Sequence, residues 1–234
     1  MTTVKEAIDA LKKGEFVLIY DADGREEETD FVKAAEFATP KDIELMRTQG
    51  GGLIFLMIHS EIRARLGLPF LTDMHLAMEE ELPVLKSLRA SDIPYDAKSS
   101  FSLTINHRKT FTGITDNDRA MTVTGFAKIA KETEDMVSEE ALKVFGRDFR
   151  SPGHVPICAA SERILDERFG HTELSVGLLT MAGLTPVAVG CEIMGSGKAK
   201  TKSTTREMAN NKGLVYLEGK QIIEAWKEYR KGMD

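Results

Sequence analysis

The sequence predicts an α+β fold, a layered α/β/α domain built on a mixed sheet and spanning residues 1–234. Three observations carry this expectation. Short apolar runs that read as buried strands alternate with stretches whose apolar residues recur at helical spacing, the pattern of helices packed on a sheet. At 234 residues the chain is long enough for one substantial domain, or at most two small ones. No repeat and no low-complexity linker divides it.

The elements follow in order. Val4, Ile8 and Leu11 at helical spacing open the chain with a short helix that Gly14 can end. Phe16 to Tyr20 is an apolar run that reads as a buried strand, and a second extended run begins at Phe31. Thr39-Pro40 starts a helix, with Thr as N-cap and Pro at the first helical position. That helix gives way at Gly50-Gly51-Gly52, and Leu53 to Ile58 is another buried strand. Ser60 caps a short helix to Leu66, with Gly67 behind it. Residues 70–98, which carry Pro83 and Pro94, read as loop with one helical turn or two. Ser100 to Asn106 alternates as a strand, and 112–119 is a polar turn leading to a helix near 122–132. Ser138 caps a helix to Phe145, a Pro-Gly turn enters strand 155–160, and Gly170 leads into an apolar helix ended by Gly183. Strand 186–193 follows, then Thr204 with Glu207 as the capping box of helix 204–212. Leu214 to Leu217 is a strand, and a final helix contains Trp226.

Composition narrows the class of function. Charged residues at 29% and apolar ones at 42% describe an ordinary soluble protein, which points to the cytoplasm. A net charge of −6 argues against nucleic acid as a partner, since that would demand a basic stripe. No signal pattern and no membrane-length apolar run is present, so a membrane partner is not expected. Cys158 and Cys191 both sit in apolar strand-like runs and read as buried thiols.

The chemistry gathers after the first strand. Asp21, Asp23, Glu26, Glu27, Glu28 and Asp30 crowd a short loop with one Arg25 among them. Like charges so close repel and raise one another's pKa values, and a divalent cation relieves them. Hard oxygen ligands suit Mg²⁺ or Mn²⁺. Asp-x-Asp-Gly after an apolar strand also opens phosphohydrolases that use Asp21 as nucleophile and Asp23 as acid/base, although Arg25 follows the Gly where those enzymes carry Thr or Val. EF-hand spacing fails at Gly24 and Val32, and Gly195-Ser196-Gly197-Lys198 lacks the first Gly and the last Ser or Thr of a phosphate loop. Elsewhere His171 precedes Thr172, a candidate helix N-cap, and follows Arg168, which together make an anion site suited to a phosphate ester. His154 lies in a Pro-Gly turn where side chains are aimed, and Glu192 ends an otherwise apolar strand. His59, His75 and His107 have no companions at informative spacing.

Six motifs occur in order: Arg25-Glu26 with Glu28-Thr29-Asp30; Ser99-Ser100-Phe101-Ser102; Thr112-Gly113-Ile114-Thr115 with Asp118-Arg119; Arg150-Ser151-Pro152-Gly153-His154; Gly170-His171-Thr172-Glu173; and Cys191-Glu192. Together they resemble 3,4-dihydroxy-2-butanone 4-phosphate synthase of riboflavin biosynthesis over residues 3 to 218, and the 92–120 segment is most similar to archaeal members. The resemblance implies a lyase that converts the sugar phosphate ribulose 5-phosphate into 3,4-dihydroxy-2-butanone 4-phosphate and formate. It implies Mg²⁺ or Mn²⁺ without an organic cofactor, and a homodimer with sites near the subunit interface. Carried over by residue, Glu26 and His171 match metal ligands. Arg25, Glu26, Asp30, Thr112, Glu192 and the run Arg168, Phe169, Gly170, His171, Thr172 match substrate-binding positions. His154 and Glu192 match a pair essential for turnover, and Glu28, Asp30 or Glu192 supply general bases and acids. Competing readings are the Asp21/Asp23 phosphohydrolase and a non-catalytic RNA-binding module of related layered fold. Two departures stand out: Glu27 replaces a Gly of the family's loop, and Phe55 replaces a frequent Cys.

Overall fold

Among the described residues the apolar runs become seven strands: Val17–Tyr20 (β1), Thr29–Ala34 (β2), Phe55–Ile58 (β3), Phe101–His107 (β4), Phe149–Ala159 (β5), Val187–Glu192 (β6) and Val215–Glu218 (β7). In the computed structural model, which describes residues 2–232, they form one sheet in the order β4-β5-β3-β6-β2-β1-β7. β1 runs parallel to β7 and β3 to β5, while the β1–β2, β2–β6, β3–β6 and β4–β5 pairs are antiparallel. The mixed sheet and α+β class expected from the sequence are therefore present.

The helices are Val4–Lys12 (α1), Pro40–Gln49 (α2), Ser60–Arg65 (α3), Leu71–Met78 (α4), Pro83–Ser87 (α5), Asp116–Glu132 (α6), Ser138–Asp148 (α7), His171–Ala182 (α8), Lys202–Lys212 (α9) and Gly219–Lys231 (α10). Strand side chains alternate between faces, and this sorts the core into two layers. Leu18, Tyr20, Phe31, Leu56 and Ile58 pack with Ile43 and Met46 of α2, Val123 and Phe126 of α6, and Ala209 of α9. Val17, Ile19, Val32, Phe55 and Met57 pack instead against Leu11 of α1, Leu174 and Leu178 of α8, and Ile222 and Trp226 of α10. Cys158 and Cys191 are buried free thiols, one in each layer. Among the described residues no helix is long and apolar enough to cross a membrane.

Several helix starts differ from the sequence expectation. Ser60 and Ser138 stand inside their helices, and the N-caps are His59 and Val137. His59 Nδ1 accepts the Glu61 amide at 3.1 Å, doing the work expected of a Ser hydroxyl. The cap of α9 is Thr201, which accepts the Thr204 amide at 3.3 Å, so the Thr204–Glu207 box does not form. Gly170 rather than Thr172 caps α8, and Thr172 is buried in its first turn. The polar run at 116–119 is already helix, because Thr115 accepts the Asp118 amide at 3.1 Å and starts α6 there. Residues 70–98 hold the two short helices α4 and α5, neither of which contributes a buried side chain.

Candidate active site

The acidic loop is the connection between β1 and β2, and Asp21 organises it. Its buried carboxylate accepts the Glu28 amide on Oδ1 at 3.1 Å, and on Oδ2 the Glu26 amide at 3.0 Å and Arg25 Nη1 at 3.1 Å. Asp23 points the other way, to the Tyr20 hydroxyl at 2.7 Å and Lys202 Nζ at 3.2 Å on the surface. This overturns the phosphohydrolase reading: the would-be nucleophile has both oxygens fastened to its own loop, and the would-be acid faces away. Glu27 adopts φ 58, the left-handed region that its replacement of Gly placed in question. Its side chain accepts the Gly24 amide at 2.8 Å across the turn.

Behind the loop the β2–β6 register places Asp30 directly opposite Glu192. Like charges opposite each other in a sheet are unfavourable. Asp30 is almost wholly buried, and among the described residues neither carboxylate oxygen has a hydrogen-bond partner. Burial, reinforced by Glu192, Glu26 and Glu28, pushes its pKa well above the usual carboxylate range. Burial also pushes Glu192 up, with Glu26 adding to it, and raises Glu28, with Glu26 and Glu192 adding to it. His171, at the first position of α8, projects into this group. Its Nδ1 lies 3.2 Å from Glu26 Oε2, its Nε2 lies 3.2 Å from the Ile19 carbonyl oxygen and 3.7 Å from Asp30 Oδ1. Burial opposes charge on this ring, but Asp30, Glu26 and Asp21 outweigh it and hold its pKa at about 9. Glu26 is correspondingly held at about 2, His171 and Arg25 overcoming the effect of burial.

The donor set fits a hard divalent cation. Oxygen and nitrogen atoms of Asp21, Glu26 and His171 lie within 4.8 Å of one another. His171 donates Nε2–H to Ile19, which turns Nδ1 towards Glu26, the orientation a ligating imidazole needs. Nδ1 of His171 and Oε2 of Glu26 lie 3.2 Å apart, so the two donors already converge where one small cation would be held. Glu26 and His171, with Asp21, are the grouped donors that could hold such an ion, and Asp21 also fixes the loop that carries Glu26.

A cationic corner adjoins this group. Arg168 gives Nη1 to buried Glu173 at 2.5 Å, and Glu173 also accepts the Ser161 amide at 2.9 Å. Arg25 sits beside it, pairing with Asp21 at 3.1 Å and Glu26 at 3.0 Å. Asp96 accepts from both arginines. Phe169 is 41% exposed at the rim, and Gly170 begins α8.

His154 and Thr112 lie elsewhere. β3 stands between β5 and β6, and the partners of His154 belong to a separate polar group. Asn106 Nδ2 donates to His154 Nδ1 at 3.0 Å, and Asn106 Oδ1 accepts the His154 amide at 2.8 Å. The same Nδ2 lies 3.3 Å from the Thr112 carbonyl oxygen, and Asp118 accepts the Thr112 amide at 3.2 Å. His154 leaves the strand in a bulge, since Arg150 faces Asn106 while Val155 faces its neighbour Ile105. Gly153 makes the bulge possible: a Cβ there would meet the Ile105 carbonyl carbon at 2.0 Å.

The structure therefore brings Arg25, Glu26, Glu28, Asp30, Arg168, His171, Thr172 and Glu192 to one place and sets Thr112 and His154 apart. The sequence reading missed Asp21 as the loop's anchor, Glu173 as the support of Arg168, and Asp96. Glu173 carried a signal, a carboxylate beside His171 in an apolar helix; Asp96, in a segment read as loop, carried none.

The chain as a whole is similar to proteins of one kind. A family profile described as 3,4-dihydroxy-2-butanone 4-phosphate synthase matches residues 5–225. A 3,4-dihydroxy-2-butanone 4-phosphate synthase of Methanothermobacter thermautotrophicus is 45% identical over 229 residues, covering 97% of each chain. One from Archaeoglobus fulgidus is 43% identical, covering 97% of this chain and 95% of that protein. Among solved structures, the synthase of Candida albicans is 26% identical with TM-score 0.73, covering 96% of this chain and 97% of that one. A synthase in complex with two magnesium ions is 25% identical with TM-score 0.74, covering 97% of this chain and 98% of that one.

Proposed function

The chain belongs to the 3,4-dihydroxy-2-butanone 4-phosphate synthase family, and on that premise we propose that it converts ribulose 5-phosphate into 3,4-dihydroxy-2-butanone 4-phosphate and formate in riboflavin biosynthesis. The observation that carries this reading is the facing pair Asp30 and Glu192 beside His171 and Glu26. The reaction needs protons removed and returned next to a ketone, and carboxyl groups whose pKa values are raised hold a proton nearer neutral pH, where exchange is efficient. Glu26 and His171 would hold Mg²⁺ or Mn²⁺, which when bound would supply Lewis acidity for the ketone and the hydroxyl beside it.

The remaining residues bind and orient. Arg25 and Arg168 take the phosphate, with Gly170 and Thr172 at the start of α8 completing the site and Phe169 at its rim. Asp30 and Glu192 move protons at the carbons beside the ketone, and Glu28, half-buried on the same loop, is the third carrier. His154 and Thr112 join the site from the partner of a homodimer. Supporting this, Phe111 is 94% exposed and Ile114 50% exposed beside Thr112, an apolar surface that a second copy would cover.

Two measurements test the reading. Incubation with ribulose 5-phosphate and Mg²⁺ should release formate without inorganic phosphate; phosphate without formate would refute the lyase assignment. Mixing inactive His154→Ala and Glu192→Ala proteins, with exchange of subunits, should restore about a quarter to a half of the activity if each site draws on both copies. Failure to restore any activity in confirmed mixed dimers would place both residues in one chain's site.

A further inference from the structure

One oxygen of Asp96 receives three guanidinium nitrogens: Arg25 Nη2 at 2.7 Å, Arg168 Nη2 at 2.8 Å and Arg168 Nε at 3.0 Å. Such convergence of charged donors on a single oxygen is the geometry of a bound phosphate oxygen. Both guanidiniums lie against Gly170, where a Cβ would come within 2.7 Å of Arg25 Nη2 and 2.5 Å of Arg168 Nη1. Gly170 begins the twelve-residue α8 with no side-chain cap, so the positive end of the helix adds to the two arginines.

We propose that Asp96 is an internal anion that takes the position of the substrate's phosphate between Arg25 and Arg168, and is exchanged for that phosphate on binding. This rests on the assignment of the two arginines to the phosphate in the function proposed above. Asp96 is not needed to hold them. Arg25 keeps Asp21 and Glu26, and Arg168 keeps Glu173, each through an Nη1 that does not meet Asp96. What Asp96 does instead is neutralise two like charges that oppose one another. The segment that delivers it is lightly attached. α4 and α5 before it contribute no buried side chain, and Tyr95 is 45% exposed, leaning on Arg25 at 5.4 Å. Such a strap belongs to the readily opened part of a fold. An incoming phosphate offers more charge and more acceptor oxygens than one carboxylate. Asp96 would also exclude weaker anions, because each must displace it, and so sharpen the preference for phosphorylated substrates.

The experiment is titration calorimetry with inorganic phosphate at fixed ionic strength on the full chain and on Asp96→Ala and Asp96→Asn. A carboxylate that occupies the site for about nine-tenths of the time lowers apparent affinity about tenfold. Both variants should therefore bind inorganic phosphate more tightly than the parent, Asp96→Ala by about tenfold. Equal or weaker binding in folded variants overturns the proposal, because it would make Asp96 a support of the arginines. A second measurement needs no variant: amide hydrogen exchange over 92–98 should speed up when the parent is saturated with phosphate, and unchanged or slower exchange counts against displacement. Phosphate binding is read without turnover. Tighter phosphate binding in a protein that makes no formate would sink the lyase reading and keep this one, and formate production with no gain in phosphate affinity would do the reverse.

Discussion

Glu27 offers a test in which the sign alone decides. Its φ of 58 lies in the left-handed region, where a Cβ costs on the order of 1 kcal/mol that glycine does not pay. Against this, Glu27 Oε1 accepts the Gly24 amide at 2.8 Å, an exposed bond worth roughly 0.5 kcal/mol, the low end for hydrogen bonds. Glu27→Gly relieves the strain and loses the bond, so its net effect should fall within about 1 kcal/mol of zero. Glu27→Ala loses the bond and keeps the strain. Glycine should therefore be the more stable of the two variants by about 1 kcal/mol, whereas at an ordinary helical or extended position alanine would win by a similar amount. Urea unfolding of both proteins, with equal slopes, measures the difference. An alanine variant as stable as the glycine variant, or more so, would refute the left-handed conformation and the strain reasoned from it. Glu27→Gly should also keep formate production, because Asp21 still fixes the Glu26 and Glu28 amides.

Three further outcomes follow from the same geometry. His171→Ala should abolish formate production and weaken Mn²⁺ binding, read by calorimetry; a folded variant with parental Mn²⁺ affinity removes His171 from the ligand set. Glu192→Gln should keep substrate affinity within about tenfold while lowering turnover by about 10²-fold or more, the scale of a lost acid or base; lost binding with intact turnover at saturation contradicts that role. Burial pushes the thiols of Cys158 and Cys191 from 9.0 up to about 12, so both stay protonated in the folded protein at pH 8 to 10 while unfolded thiols ionise. Stability should then fall as pH rises through about 9, by up to about 1.4 kcal/mol per pH unit for each thiol. Cys158→Ala should lessen that fall, and rapid alkylation of either thiol in the native protein at pH 8 would show that it is not buried.

Much of the fold was legible because the strands are short and strictly patterned. Val17, Ile19 and Leu18, Tyr20 divide between the two core layers as period-two alternation requires. Helix starts were legible where a Thr stands before Pro40, and missed where another atom took the capping role, as His59 Nδ1 does for α3. The acidic loop and the Gly170-His171-Thr172-Glu173 run announced a site because both put charge at the end of an apolar element. The partition of that site was not legible. Asp96 meets Arg25 and Arg168 across 71 and 72 residues of chain, through a segment with no periodicity to locate it. Thr112 and His154 stood in motifs of the same order as the rest, yet Asn106, which no motif singled out, binds them into a group of their own.

The facing of Asp30 and Glu192 shows why sequence reading stopped short of mechanism. Each carboxylate taken alone is an acidic residue at the end of an apolar strand, a costly placement with several possible remedies. Their effect on one another arises only from register. A shift of one residue between β2 and β6 would turn one of them to the opposite face of the sheet and leave two unrelated groups. In the register that forms, Phe31 faces Cys191 and Val32 faces Gly190, and Phe31 and Cys191 share a core layer that such a slip would break apart. The packing of apolar neighbours therefore supplies the stability that holds two repelling carboxylates in place. Gly190 contributes by having no side chain: a Cβ there would come within 2.5 Å of the Met57 terminal carbon. The proton-holding capacity of the pair is thus a property of the β2–β6 core, and substitutions at Phe31 or Gly190 should disturb the chemistry without touching a polar atom.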